Sequence, residues 1–331
     1  MKKIHEKSPC CGETIWRINS KRRQCSCCKK TWTLWPRKKG RKKKRGTSEK
    51  LIRYLSHFDG TSRQKALQKG KSVRTEQKHM QDSLHRYCKV TSWAKIHDGP
   101  LIVVPDALLV TVGGKLWTLY CILLRPVNGN KATITKPLFL PGREGQDGGW
   151  YLAFDALPCD VRNRIVAMVC DGAQPLTGMA RNEAWILQRC YFHLKARLRH
   201  YVSTGPLGRY TREGRKIQYL VDRVVNSSSN DLVKSALDSL RELMAAKGSK
   251  SLRRVLSGFL RNYEDYRSYL NYPELNLPRT SNSAESLMSI IRRLQRKAHG
   301  FSNPYAFFQW VEALCKYHQT IRCNRANHLQ N

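Results

Sequence analysis

The run IVVPDALLVTV (102–112) is apolar at nearly every position, yet it holds one carboxylate, Asp106. A short run that is apolar on both of its alternating faces predicts a strand buried on both sides of a sheet. An unpaired carboxylate in such a strand is costly unless a positive charge balances it. The run therefore requires either a cation beside Asp106 or a strand that ends there, with Asp106 in a turn.

The charge balance indicates a polyanionic partner. The chain has 331 residues, of which 40% are apolar, enough for a globular core. Its 61 Lys and Arg outnumber 24 Asp and Glu, giving a net charge of +37, from which we expect double-stranded DNA as the partner. No long apolar run and no signal-peptide pattern occurs, so we expect no membrane partner and a cytoplasmic, nucleoid-associated protein. Twelve cysteines in such a chain favour reduced thiols, some of them metal ligands.

Residues 1–36 carry a cysteine pattern typical of a zinc ribbon. One knuckle is Cys-x-x-Cys, and the other resembles the Cys-Pro-x-Cys-Gly turn, except that Ser8 stands where its first cysteine belongs. A ribbon needs four tetrahedral ligands. The predicted Zn²⁺ ligands are Cys11, Cys25 and Cys28, with Cys10 or His5 as the fourth. A ribbon that has lost its metal is the alternative.

Two DNA-binding segments are predicted after the ribbon. Residues 37–46 form a basic arm along DNA phosphates, or alternatively a solvated linker. Residues 47–95 show three helical stretches with a break at Gly70, which predicts a helix-turn-helix, although other helical hairpins give the same pattern. The predicted DNA contacts in the two segments are Arg37, Lys38, Lys39, Arg41, Lys42, Lys43, Lys44, Arg45, Arg74 and Lys78.

The remaining sequence predicts an α/β fold with a sheet of mixed direction. Within 98–193, three runs rich in β-branched and aromatic residues are separated by the turn signals GGK and NGN, which predicts a meander of three antiparallel strands. A helix, a strand, a helix and a short strand follow. Residues 194–277 show only helical spacing, and 278–331 open on a strong helix at Asn282 with helices to about Arg322.

Three acids stand at the ends or in the middle of these elements. Asp106 lies in the first strand, Asp171 ends the fourth strand 65 residues later, and Glu285 opens a helix 114 residues further on. Carboxylates suit Mg²⁺ or Mn²⁺, and two such ions about 3.5–4 Å apart serve phosphoryl transfer. Such ions would also balance the charge of Asp106.

Glu285 has a second interpretation, because NSAE also fits a capping box that begins at Asn282. Helical geometry, however, places Glu285 on the stripe that carries Arg292 and Arg296, opposite the apolar stripe. That placement favours an acid that holds metal at a DNA backbone, with the two arginines as further DNA contacts.

Four segments resemble, in order and spacing, the motifs of bacterial insertion-sequence transposases of the Mutator-like superfamily: VVPDALLV, VCDGAQPL, LQRCYFHL and RTSNSAESLMSIIRRLQRKAHGFSN. The resemblance covers about residues 100–325. It implies an RNase H-like catalytic domain with an all-helical insertion before the final catalytic helix. It also implies Asp106, Asp171 and Glu285 as catalytic metal ligands, and it matches Cys190 and His193 to a C-x-x-H motif. We expect this pair to support the site rather than bind zinc, since no second ligand pair lies nearby.

The expected function is a DNA transposase. The ribbon, arm and helix-turn-helix would bind the terminal inverted repeats, and the acids would catalyse two-metal-ion strand cleavage and strand transfer, in a homodimer or larger assembly that joins two ends. The alternatives are a metal-dependent nuclease or resolvase without strand transfer, and a non-catalytic DNA-binding regulator. Pro105 departs from a paired strand because it lacks an N–H, so either a bulge or a strand end is expected there.

Overall fold

The computed structural model describes residues 2–34, 49–57, 70, 72–202, 211–246 and 250–323. The chain divides into two compact units, Met1–Ser48 and Glu49–Asn331, and each is described by itself. Two predicted features lie outside the described residues, namely the basic arm Arg37–Arg45 and the middle stretch, 58–69, of the predicted helix-turn-helix.

The first unit is a small antiparallel sheet. Its four strands lie in sequence order and are β1 (Lys2–Lys7), β2 (Thr14–Arg17), β3 (Arg22–Cys25) and β4 (Thr31–Thr33). Ile15 and Cys25 face each other across β2 and β3 and are almost fully buried. Among the described side chains of this unit (7–34) few are buried, so a cross-link or a metal would add much to its stability.

The second unit contains a mixed sheet, so the predicted α/β class with a sheet of mixed direction is confirmed. Its strands are β5 (Leu101–Val112), β6 (Lys115–Pro126), β7 (Lys131–Ile134), β8 (Leu138–Pro141), β9 (Ile165–Cys170), β10 (Ile186–Arg189) and β11 (Thr320–Arg322). They lie in the order β10-β9-β5-β6-β7-β11, and β8 also pairs with β6. β9 runs parallel to β5 and β10, whereas the other pairs are antiparallel.

Two details of the sheet differ from the sequence prediction. The third run forms two strands, β7 and β8, because Pro137 interrupts it and cannot donate a ladder hydrogen bond. The chain end was predicted to stay helical to about Arg322, which is wrong. Gln319 has a φ of 57°, which ends the last helix, and β11 then pairs with β7.

The helices of the second unit follow the sequence prediction closely. They are α1 (Glu49–His57), α2 (Val73–Val90), α3 (Gly149–Asp155), α4 (Cys159–Arg162), α5 (Gln174–Asn182), α6 (Tyr191–Val202), α7 (Thr211–Asn226), α8 (Asn230–Ala246), α9 (Lys250–Arg261), α10 (Ser268–Asn271), α11 (Asn282–Lys297) and α12 (Pro304–His318). Ser72 and Asn303 cap α2 and α12, each accepting a hydrogen bond from a backbone N–H of the first turn. In the part of the chain that the structure describes, no helix is both long enough and apolar enough to cross a membrane.

The first half of β5 is buried on both of its faces, as its sequence predicts, whereas Leu109 and Thr111 in the second half are exposed. Leu101 and Val103 pack into the core beneath α3 and α5, whereas Ile102 and Val104 pack into the larger core that α11 completes. Side chains alternate along a strand, so Asp106 lies on the same face as Ile102 and Val104. This is the face that α11, the helix of Glu285, covers.

Candidate functional site

Pro105 and Asp106 lie in an unbroken strand. Pro105 pairs with Ile122 and Asp106 with Cys121 in one continuous register between β5 and β6. The Ile122 carbonyl accepts from the Thr135 backbone N–H, at 3.1 Å, so the backbone bonds of Ile122 point away from β5. The nitrogen of Pro105 therefore faces the β9 side, where the ladder has already ended at Val103. Neither the bulge nor the strand end expected at Pro105 is present, because no bond is needed there.

Asp171 directly follows the last residue of β9. Its Oδ1 accepts a hydrogen bond from the Ala173 N–H at 2.9 Å, which fixes the turn. Gly172 has a φ of +89°, a conformation that favours glycine. Arg189, from the neighbouring strand β10, donates from Nη2 to the Gly172 carbonyl at 2.9 Å. This loop places the Asp171 carboxylate beyond the end of β9, near the point where β9 separates from β5.

Glu285 does not act as a capping-box residue. The N-cap of α11 is Ser281 rather than Asn282, and no side chain caps the helix. The Glu285 carboxylate instead lies 3.0 Å from His193 Nε2, measured to Oε1. Glu285 therefore turns toward α6 and the end of the sheet, as a site residue would.

Cys190 and His193 connect the elements that carry the acids. The Cys190 N–H donates to the Cys170 carbonyl at 2.7 Å, and Cys190 Sγ accepts from the Ser281 N–H at 3.3 Å. Cys190 thus joins the end of β9 to the start of α11. One turn along α6, His193 reaches Glu285. The pair brings residues that lie far apart in the sequence to one place.

Mutual repulsion and burial shift the pKa values of these groups. Burial, together with the negative charges of Glu285 and Asp171, raises the pKa of Asp106 to about 7. The Cys190 sulfur and the Glu285 carboxylate raise the pKa of His193 to about 10, and the hydrogen bond from His193 lowers the pKa of Glu285. Burial alone would raise the pKa of Cys190, but hydrogen bonds from His193 and Ser281 lower it.

The donor set of this site fits divalent cations of the Mg²⁺ type, which prefer oxygen ligands. Bringing three carboxylates near one another without a cation is unfavourable, and the pKa of Asp106 is raised first by burial and then by the charges of Glu285 and Asp171. The three carboxylates are nevertheless not a compact cluster. Within the described ranges, only the four cysteines form a group of three or more such ligands whose atoms all lie within 4.8 Å.

The cysteine cluster of the first unit consists of Cys10, Cys11, Cys25 and Cys28. These four sulfurs could hold a metal ion, and four thiolates in this arrangement suit Zn²⁺. Cys10 is thus the fourth member of the cluster, whereas the side chain of His5 lies outside what the structure describes. Cys27, although it lies between two members in sequence, is not part of the cluster.

The predicted DNA contacts that the structure describes are all exposed side chains. Arg74 and Lys78 lie on α2, and Arg292 and Arg296 lie on α11 on the side of Glu285. Arg292 is close enough to Glu285 to lower the pKa of that carboxyl. The eight basic residues from Arg37 to Arg45 lie outside the described residues.

The sequence analysis missed one residue of the site, Arg189. Besides its bond to Gly172, its guanidinium lies over the ring of Tyr266, 5.6 Å from the centroid, in the segment that precedes α10. No spacing in the sequence signals this role, because β10 and Tyr266 meet only in the fold.

Searches against models of known protein families and against curated proteins gave no match.

Proposed function

We propose that the protein is a DNA transposase of the bacterial Mutator-like type, acting in the cytoplasm at the nucleoid. The observation that carries the proposal is the convergence of Asp106, Asp171 and Glu285 at one end of a mixed sheet. The three acids come from a strand, a strand end and a helix that the chain separates widely. In this proposal the sheet and α11 form an RNase H-like catalytic domain, and the first unit is a zinc ribbon.

The order of elements supports this assignment. An antiparallel meander is followed by two strands parallel to β5, then by helices α6 to α10, and only then by α11. The resemblance implies this order, with a helical insertion between the second aspartate and the glutamate. The insertion also contacts the catalytic part, since Ser268 donates to the Leu187 carbonyl of β10 at 2.6 Å. Such contacts keep the long insertion from displacing α11.

Three carboxylates from separate elements suit two ions, which lie about 3.5–4 Å apart in sites of phosphoryl transfer. When bound, such ions supply Lewis-acid stabilisation of the oxygens that attack and leave phosphorus.

The residues of this chain would have distinct tasks in the reaction. Asp106, Asp171 and Glu285 would hold the two Mg²⁺ or Mn²⁺ ions at the scissile phosphate. His193 orients the Glu285 carboxylate through Nε2 at 3.0 Å. Arg292 and Arg296 would contact neighbouring phosphates and position the duplex. One such site serves both strand cleavage and strand transfer, because both are in-line displacements at phosphorus.

DNA binding would be shared among several basic surfaces. The net charge of +37 supplies the electrostatic attraction, and α1 and α2 belong to the proposed helix-turn-helix with Arg74 and Lys78 toward the duplex. The ribbon and the arm Arg37–Arg45 would bind the terminal inverted repeats beside it. Two ends must be held together for transposition, so we propose a homodimer or larger assembly on DNA.

The test uses the purified full chain with linear DNA that carries the sequences flanking its coding region. With Mg²⁺, and separately with Mn²⁺, the transposase proposal expects cuts at the ends of paired inverted repeats and joining of those ends to a plasmid. Asp106→Ala should abolish both reactions while DNA binding, measured by gel shift, is retained. Asp231→Ala, which removes an exposed carboxylate from α8, is the matched control and should leave all three unchanged.

The alternatives give different results in the same assay. Cutting without joining would indicate a metal-dependent nuclease or resolvase. Specific DNA binding with no cutting, unaffected by Asp106→Ala, would indicate a non-catalytic regulator. Either result would overturn the proposal of a transposase.

A further inference from the structure

The two metal knuckles of the first unit have the same backbone pattern. The Ser8 N–H donates to the Glu13 carbonyl at 2.7 Å, and the Cys25 N–H donates to the Lys30 carbonyl at 2.9 Å, each five residues ahead. Four residues into each turn the backbone is left-handed, with a φ of +69° at Gly12 and +58° at Lys29. The turns therefore correspond position by position.

This correspondence assigns a place to each side chain. Ser8 occupies the place of Cys25, Cys11 that of Cys28, and Cys10 that of Cys27. Ser8 is only 4% exposed, and its Oγ lies 3.3 Å from Cys25 Sγ. The hydroxyl thus stands at a ligand position of the cluster but carries oxygen where the second knuckle carries sulfur.

Cys10 and Cys27 differ although they occupy the same place in their turns. Cys10 Sγ lies 3.4 Å from Cys28 Sγ, inside the cluster. Cys27 is exposed and is absent from the cluster. The turns differ in that the first one lacks a sulfur at its opening position. Both side chains are exposed, so what separates them is membership of the cluster. Cys10 lies in the turn that lacks a sulfur at its opening position, whereas Cys25 supplies that sulfur in the second turn.

We propose that the cluster binds one Zn²⁺ in a tetrahedron in which Cys10 replaces the ligand lost at Ser8, and that the Ser8 hydroxyl donates a hydrogen bond to the metal-bound Cys25 sulfur. Zn²⁺ prefers thiolate to a neutral hydroxyl, so a neighbouring cysteine takes the position in place of Ser8. With Zn–S bonds of about 2.3 Å, tetrahedral sulfurs lie about 3.8 Å apart, which agrees with sulfurs that all lie within 4.8 Å. The proposal rests on the zinc ribbon proposed for the first unit but not on transposase activity.

In this proposal the Ser8 hydroxyl positions a metal ligand instead of binding the metal. Ser8 Oγ already accepts a hydrogen bond from the Cys11 N–H at 3.4 Å, which leaves its own proton free for the Cys25 sulfur. A hydrogen bond to a ligating sulfur orients it and stabilises its negative charge, and loss of such a partner typically costs about 10–100-fold in metal affinity. Ser8 would thus act through Cys25 as a positioning residue.

The test counts thiolates on the metal in the full-length, reduced protein. Co²⁺ replaces Zn²⁺, and the intensity of its sulfur-to-cobalt charge-transfer band reports how many thiolates bind. We expect four thiolates in the wild type, three in Cys10→Ser and four in Cys27→Ser, which is the matched control. Zn²⁺ affinity, measured by competition with a chromophoric chelator, should fall by at least about 10-fold in Cys10→Ser and stay unchanged in Cys27→Ser.

Two further variants test whether Cys10 takes the place of a ligand at position 8. The double variant Ser8→Cys, Cys10→Ser should regain four thiolates and at least wild-type Zn²⁺ affinity, because it restores the regular knuckle. Ser8→Ala should keep four thiolates but bind Zn²⁺ about 10-fold more weakly. Four thiolates in Cys10→Ser, a lost thiolate in Cys27→Ser, a wild-type site of three thiolates and one histidine, or no recovery in the double variant would each overturn the proposal.

Discussion

The two candidate metal sites differ in how the chain brings their ligands together. The four cysteines lie within 18 residues of one another, in two turns of one small sheet. The three acids extend over 179 residues, from Asp106 to Glu285, and meet only because the sheet, α6 and α11 are packed together. Local spacing therefore specifies the first site, whereas the topology of a whole domain specifies the second.

The same difference extends to stability. The sheet of the first unit has few buried side chains, so a bound ion would replace a hydrophobic core as its main source of stability. The second unit has extensive apolar cores on both faces of its sheet. The proposed metal site of this unit should therefore tolerate mutation or loss of metal without loss of the fold.

Metal removal should separate the two units most sharply. Structural zinc contributes roughly 10–16 kcal/mol to the folding of small metal domains. A strong chelator should therefore unfold residues 2–34 and leave 101–323 folded. Hydrogen-exchange mass spectrometry would show loss of protection in peptides of the first range alone. Retained protection in 2–34 after complete metal removal would mean that the first unit does not rely on an ion.

Glu285→Gln should produce the largest effect on activity. It removes the charge of one proposed ligand and weakens the contact with His193, while the apolar packing of α11 is kept. Because metal ions supply several kcal/mol to phosphoryl transfer and each 1.36 kcal/mol is tenfold in rate, cleavage should fall at least about 1,000-fold. The melting temperature and DNA affinity should stay near the wild-type values.

The control for this substitution is Glu274→Gln, an exposed glutamate that precedes α11. It should retain full cleavage activity. A Glu285→Gln variant that cleaves DNA within about tenfold of the wild type would exclude Glu285 from the catalytic set.

Much of the fold could be predicted from local sequence. The nearly continuous apolar run of 101–112 and the helical stripe of 282–297 each predict an element, and both elements occur as predicted. The split of the third strand and the final strand Thr320–Arg322 could not be predicted. The split follows from Pro137, whose effect on the third run the sequence analysis did not take into account. The final strand depends on pairing with β7, far back along the chain, and a three-residue strand has no periodicity of its own.

Prediction of the carboxylate site from the sequence has the same limit. Each acid could be singled out by its position, with Asp106 inside an apolar strand, Asp171 after a strand end and Glu285 in the first turn of a helix. The contact of His193 with Glu285, however, joins residues 92 positions apart. It follows from the way the start of α6 meets the segment before α11, where the Tyr191 N–H donates to the Arg279 carbonyl at 3.0 Å, and no local pattern encodes this contact. The cysteine cluster lies at the opposite extreme, since its spacing alone predicted three members and offered Cys10 as one candidate for the fourth.

Arg125→Met should show that long-range polar contacts hold the second unit together. Arg125 is fully buried, and its Nη2 donates to the Asn276 carbonyl at 2.6 Å and the Leu275 carbonyl at 3.3 Å. These bonds fasten the end of the insertion to β6 just ahead of α11. Methionine keeps the volume but leaves buried carbonyls unpaired, so we expect the free energy of unfolding to fall by about 3 kcal/mol. Urea denaturation would measure this.

The matched control is Arg143→Met, because Arg143 is exposed. Its free energy of unfolding should stay within about 0.5 kcal/mol of the wild type. Equal effects of the two substitutions would mean that charge, rather than the buried contacts of Arg125, determines the change.

Gly172→Ala tests the loop after Asp171 and has the smallest expected effect. At a φ of +89°, a Cβ on Gly172 would lie 2.4 Å from Nε and from Nη2 of Arg189. We expect a loss of about 1–3 kcal/mol in stability from backbone strain and a rise of about 10-fold in the Mg²⁺ concentration needed for half-maximal cleavage. Gly178→Ala, with open space around it in α5, should be neutral or stabilising.

Adding Arg189→Ala to Gly172→Ala removes the collision but not the strain. If the double variant regains stability but still needs more Mg²⁺ for half-maximal cleavage, Arg189 positions Asp171 through this loop. The carboxylate site then depends on a contact between two strands, whereas the cysteine cluster needs only its own turns.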